Sequence, residues 1–193
     1  ARGRVIGVYP ETKHPSYFTS IGLPHEAPLL AALAHYGLTE AGSPVFIQSF
    51  EVGNLKVLRT KTKVRMIQLI DSEAGPTDLP DTLYADMITP DGLKAIAAYA
   101  DGIGPFKDLV IARTADGHLG RPTQLVEHAH AVGLKVHPWT FRAENYFLPA
   151  GLKTSSDPKE KGDLASEIKA FVAAGVDGIF SDHSAEAHAA LSD

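Results

Sequence analysis

Short apolar, β-branched runs and helical patterns alternate along the chain from start to end. The runs predict strands at Arg4–Tyr9, Pro44–Phe50, Lys63–Ile70, Ala100–Gly104, Leu134–Phe141 and Asp177–Ser181. Between them lie helical patterns near Pro24–Tyr36, Val52–Thr60, Pro90–Tyr99, Pro122–Val132 and Gly162–Ala174, with a last one after Ser184. Leu164, Ile168, Phe171 and Val172 have the spacing of one apolar helix face. Pro90 and Pro122 stand where a first helical turn tolerates proline, and Gly37, Gly133 and Gly175 follow the last turns. Two longer stretches, Asp71–Asp86 and Ala143–Lys161, are rich in Pro, Asp, Ser and Gly and read as loops.

Six strand-then-helix units imply an α/β fold, a parallel sheet covered by helices. A doubly wound open sheet and a (β/α)8 barrel both fit that alternation. The Gly-x-Gly-x-x-Gly and Walker fingerprints are absent, and Gly102-Ile103-Gly104 runs into Pro105 where a phosphate-binding helix would begin. A barrel has eight units and typically ~250 residues. Six units in 193 residues therefore predict a single domain over 1–193 holding strands 3–8 of a barrel, its N-terminal strands missing.

Composition narrows the class. The chain is 44% hydrophobic and 21% charged, long enough for one core. No apolar run reaches the ~18 residues of a membrane span, and no signal-peptide pattern is visible. A net charge of -5, without a basic patch interleaved with aromatics, argues against nucleic acid as partner. Zero cysteines exclude disulfides, thiolate metal sites and thiol nucleophiles.

Chemistry concentrates at the ends of the predicted strands. Val5 to Tyr9 runs directly into Glu11 and Lys13, which share a face because residues two apart on a strand point the same way. Charges there are costly unless a metal, an anion or each other compensates them. The C-terminal edge of barrel strands is also where barrel enzymes place catalytic groups. Gln48 and Phe50 end the second strand, Gln68 the third with Asp71 just beyond. His137, Trp139 and Phe141 alternate along the fifth, and Asp182-His183 closes the sixth. The bland alternatives are a local Glu11–Lys13 ion pair, glutamines serving the backbone, core aromatics, and Asp182 capping the last helix. The nine histidines lack metal-ligand spacing. Any metal here would be a hard cation held by carboxylates, hence Mg²⁺ or Ca²⁺.

Five ordered motifs carry a resemblance. They are Gly7-Val8-Tyr9-Pro10-Glu11-Thr12-Lys13, Ile47-Gln48-Ser49-Phe50, Ala100 to Pro105, Val136-His137-Pro138-Trp139-Thr140-Phe141-Arg142 and Gly175 to Asp182. In that order the chain resembles the C-terminal two-thirds of a glycerophosphodiester phosphodiesterase, most closely the periplasmic or secreted type. The resemblance implies a TIM-type barrel that hydrolyses glycerophosphodiesters to glycerol 3-phosphate and an alcohol with a divalent cation, Ca²⁺ or Mg²⁺. It makes Glu11 a metal ligand and Lys13 the cation that neutralises phosphate. Trp139, with Gln48 and Phe50, would line the substrate. It also implies a periplasmic or secreted location. The family's His-Arg-Gly strand, Glu-x-Asp strand and second His-Asp have no counterpart here. The resemblance therefore makes this chain a fragment, inactive alone, with the missing N-terminal segment of the barrel as its partner. A lysophospholipid-cleaving barrel of the phospholipase D kind and a non-catalytic binding module are the competing expectations.

Overall fold

The computed structural model describes Gly3 and residues 5–192. They form two compact units, one reaching to Gly104 and including Val132–Leu134, the other of Pro105–Ala131 with the stretch from Lys135 onward.

The first unit opens with α1 (Pro15–Ser20) and α2 (Glu26–His35), followed by β1 (Phe46–Ser49), α3 (Val52–Arg59) and β2 (Arg65–Ile70). Then come α4 (Tyr84–Met87), α5 (Pro90–Ala97) and β3 (Gly102–Pro105), in which the unit ends. Strands β1, β2 and β3 are neighbours in that order, and β1 pairs parallel to β2 with Phe46 opposite Arg65 and Ser49 opposite Gln68. Every residue from Met66 to Ile70 is buried, the pattern of a strand covered on both faces. Behind it Leu55, Leu58, Leu93 and Ile96 of α3 and α5 are also buried. The caps follow local chemistry. Thr89 accepts from Gly92 N to start α5, with Pro90 in the first turn. Asp78 reaches across to accept from Val52 N and Gly53 N at 3.1 and 2.5 Å, satisfying two orphan donors of α3. Gly37, at φ 69, takes the left-handed conformation that ends α2.

The second unit carries the hairpin β4 (Ile111–Arg113) and β5 (Leu119–Pro122), α6 (Leu125–Ala131), the two-residue β6 (Lys135–Val136), α7 (Leu164–Ala173) and α8 (Ser184–Ser192). Asp163 caps α7 by accepting from Ser166 N at 3.0 Å. Leu164, Ile168 and Phe171 are buried as expected, but Val172 is 46% exposed and Glu167 is buried instead.

The six predicted strands are fewer and shorter in the structure. Arg4 lies outside the described residues, and Val5 to Tyr9 forms no strand, only a parallel bridge from Val8 to Val45. Leu134–Phe141 contracts to β6 plus bridges at Trp139 and Phe141, because Pro138 has no N–H to continue a ladder. Asp177–Ser181 is reduced to the bridge from Phe141 to Ser181. Pro122 ends β5 rather than opening a helix, and α6 begins at Leu125.

Candidate active site

Glu11 and Lys13 owe their position to a segment that runs beside β1 without becoming a regular strand. Gln48 N donates to Pro10 O at 2.9 Å and Thr12 N to Gln48 O at 3.0 Å, so Glu11 bridges Gln48 in parallel. Thr12 points inward. Its hydroxyl donates to Asn54 Oδ1 at 2.7 Å, and Ser49 Oγ donates to Thr12 O at 3.1 Å. With Thr12 pinned on that side, Glu11 and Lys13 turn together into a cavity of about 290 Å³ that Phe50, Glu51, Asp71 and Tyr84 also line. The shared face expected from their spacing is therefore present.

Lys13 is exposed, whereas Glu11 is half-buried and its Oε1 is enclosed with no hydrogen-bond partner. The local ion pair does not account for that oxygen. An enclosed carboxylate oxygen without a donor fits a hard cation, which accepts just such a ligand. Among the described residues no group of three His, Cys, Asp or Glu is arranged to hold a metal. Next to Lys13, His14 sits at φ 49, ψ 47, a left-handed conformation uncommon outside glycine, and Pro15 then opens α1.

The other sequence-predicted residues divide. Phe50 lines the same cavity and meets Tyr84 edge-on at 6.3 Å between ring centroids. The Tyr84 hydroxyl is pushed up to about 12, first by burial and then by the negative charges of Asp71, Asp78 and Glu51. Gln48 is buried across the bridge from Glu11, and its side-chain Oε1 is enclosed and unpartnered. Gln68 takes the bland reading. Its amide donates to the carbonyls of Ser49, Phe50 and Leu69, and its Oε1 accepts from Tyr99 at 2.8 Å.

Trp139 belongs to the second unit. It exchanges backbone hydrogen bonds with Pro105 O and Lys107 N, packs edge-on against Phe106 at 5.4 Å, and lines a cavity of about 410 Å³ with Lys107, Arg113, Arg142 and Phe147. Asp182 accepts from Arg142 Nε rather than serving only the last helix, and His183 Nδ1 accepts from Ala143 N. Sequence reasoning passed over Glu51 and Tyr84. Glu51 carried a usable signal, since it directly follows Gln48-Ser49-Phe50 and repeats the charge-after-strand pattern of Glu11.

The model of the glycerophosphoryl diester phosphodiesterase family matches residues 17–186, a span that begins after Glu11 and Lys13. A glycerophosphodiester phosphodiesterase of Arabidopsis thaliana is 34% identical over 96% of this chain and 51% of its own length. One from Haemophilus influenzae is 26% identical over 74% of this chain and 43% of its own length. Among solved structures, a glycerophosphodiester phosphodiesterase from Agrobacterium tumefaciens superposes with a TM-score of 0.56 at 17% identity, covering 100% of this chain and 58% of that one. Another from Parabacteroides distasonis gives 0.57 at 15% identity, covering 97% and 58%. At such identities the likeness speaks for the fold, an α/β TIM-type barrel. The chain spans about half the length of the curated relatives it matches. It belongs to the glycerophosphoryl diester phosphodiesterase family.

Proposed function

We propose that this chain supplies part of the active site of a metal-dependent phosphodiesterase that hydrolyses glycerophosphodiesters to glycerol 3-phosphate and an alcohol. The observation that carries the reading is the enclosed, unpartnered Oε1 of Glu11 in a cavity shared with Lys13. Glu11 would hold a divalent cation, Ca²⁺ or Mg²⁺, whose bound form withdraws charge from a non-bridging phosphate oxygen. Lys13 brings an ammonium to another such oxygen, where negative charge accumulates as the ester is attacked. The Pro10–Thr12 backbone, tied to Gln48, holds both side chains on one side of the cavity. An anchored backbone reduces the reorganisation that these groups need as charge develops.

Phe50 and Gln48 are assigned to the substrate around this cavity. Trp139 is assigned to the glycerol side through the family likeness and its half-buried place in its own cavity. The general acid and base and the remaining metal ligands are assigned to the part of the family barrel outside these 193 residues. Together with that part the chain would form a single domain.

The test is Glu11→Gln in the full-length protein that contains this sequence. The amide keeps the shape of the carboxylate but is a poor ligand for a hard cation. Turnover of a glycerophosphodiester with added Ca²⁺ or Mg²⁺ should be abolished, with the circular-dichroism melt unchanged. Unchanged turnover would remove Glu11 from the metal site.

A further inference from the structure

The cavity around Glu11 and Lys13 holds more negative charge than a phosphodiester by itself would tolerate. Glu11, Glu51, Asp71 and Glu73 face it, against the single ammonium of Lys13. Phosphate is itself an anion, so such a wall repels it unless positive charge enters with it. A divalent cation at Glu11 offsets only part of that excess.

Glu51 gives the excess a direction. It is 3% exposed, and its Oε2 accepts from Ser16 N at 2.9 Å, but its Oε1 is enclosed and has no hydrogen-bond partner. A carboxylate so placed is costly without a positive neighbour. Phe50, next to it in the chain, meets the ring of Tyr84, which is 6% exposed. The Tyr84 hydroxyl feels Asp71, Asp78 and Glu51 together, so its ring lies in a negative field. Asp71 is partly satisfied by Ser72 N and Oγ at 2.7 and 3.3 Å, and Glu73 is exposed at the rim.

Aromatic faces beside carboxylates are the surroundings that an alkylammonium group finds favourable. A neutral polyol could donate its hydroxyls to the same carboxylates, but it brings no positive charge to offset theirs. The volume, about 290 Å³, is at the small end of ligand cavities, which run from roughly 300 Å³ upward. It suits a small head group.

We propose that Glu51, Asp71, Glu73, Phe50 and Tyr84 form the subsite for the leaving alcohol, and that it selects esters whose alcohol carries a positively charged amine or quaternary ammonium. This rests on the phosphodiesterase reading above. It adds to that reading a preference among substrates.

The experiment uses the full-length protein with saturating metal. It compares kcat/KM for glycerophosphocholine and glycerophosphoethanolamine with that for glycerophosphoglycerol and glycerophosphoinositol. The ammonium esters should be favoured about tenfold, within the range of a desolvated cation–aromatic contact. The double variant Asp71→Asn, Glu73→Gln should shrink that preference to about twofold or less, by raising KM for the ammonium esters. The loss for the ammonium esters should be about fivefold larger than any change for the neutral esters. Equal treatment of the two classes by the wild type would overturn the proposal. So would a variant that slows both classes alike, since that would mark these carboxylates as metal-binding or structural. Binding of glycerophosphocholine and glycerophosphoglycerol to the metal-loaded protein is measured alongside by calorimetry. If no ester is hydrolysed, the phosphodiesterase reading fails by itself. A tighter glycerophosphocholine Kd would then still support the subsite, and equal Kd values would sink it.

Discussion

Glu167 shows how a single residue can defeat a periodicity argument and still obey physics. It lies on the buried side of α7, three residues after Leu164 and four before Phe171, so the helix carries it inward with them. There it meets Lys107 at 2.6 Å, with side-chain exposures of 1% and 5%. Burial pulls the Lys107 ammonium down from its ordinary value and pushes the Glu167 carboxyl up, and each is countered by the charge of the other. The pair offsets a desolvation penalty that neither member could bear singly. Glu167→Ala should therefore cost about 3–5 kcal/mol by urea denaturation, because Lys107 would be left charged and enclosed. Replacing both residues with apolar side chains of similar volume should recover most of that loss. A pair that merely decorated the surface would give under about 1 kcal/mol for the single change.

The elements with firm punctuation are those the sequence foretold best. Asp163 is an instance of such punctuation. It holds the N-terminus of α7 through Ser166, and those hydrogen bonds to the ionised form keep its carboxyl below the ordinary range. Its folded pKa is thus lower than the unfolded one. The cap's contribution is present at neutral pH and disappears as pH falls below the unfolded value toward the folded one. Asp163→Ala should cost about 1 kcal/mol at pH 7. The two proteins should converge in stability as melts are taken at pH 4 and then pH 3. A constant gap down to pH 3 would mean that the carboxylate is not the cap. Helices α3, α5 and α7 were legible through Pro90, Gly175 and their apolar spacing. The first strand was not. Val5 and Ile6 have the right composition but are 81% and 67% exposed, and composition says nothing about whether a partner strand is there to bury them. The β4–β5 hairpin escaped notice for a related reason. Its strands are three and four residues long, too short for alternation to register. At the site, the Glu11-x-Lys13 spacing was legible because a strand-like backbone converts it directly into a shared face. Tyr84 reaches the same cavity only through the tertiary placement of α4, which no local pattern encodes.

At the scale of the whole molecule, the number of ligands decides what these residues can do alone. A hard divalent cation takes six or more oxygens, and with one protein carboxylate most of them would be water. In the proposed role Glu11 would bring one enclosed oxygen, and among the described residues no group of three acidic or histidine side chains is arranged to hold a metal. Affinity should then be weak, since waters add nothing beyond what the free ion already has. The chain covers 51% and 43% of two curated relatives, and on the proposed reading the other ligands and the proton-transfer groups belong to the rest of the family fold. Purified residues 1–193 should accordingly bind Ca²⁺ or Mg²⁺ only at millimolar levels by calorimetry, on the order of the loosest protein sites, and should not hydrolyse glycerophosphocholine. The full-length protein should turn it over, lose that activity to a chelator, and regain it when either cation is restored. Turnover by residues 1–193 alone would show that the groups needed for proton transfer lie within this chain, and the search for them would return to His14 beside Lys13.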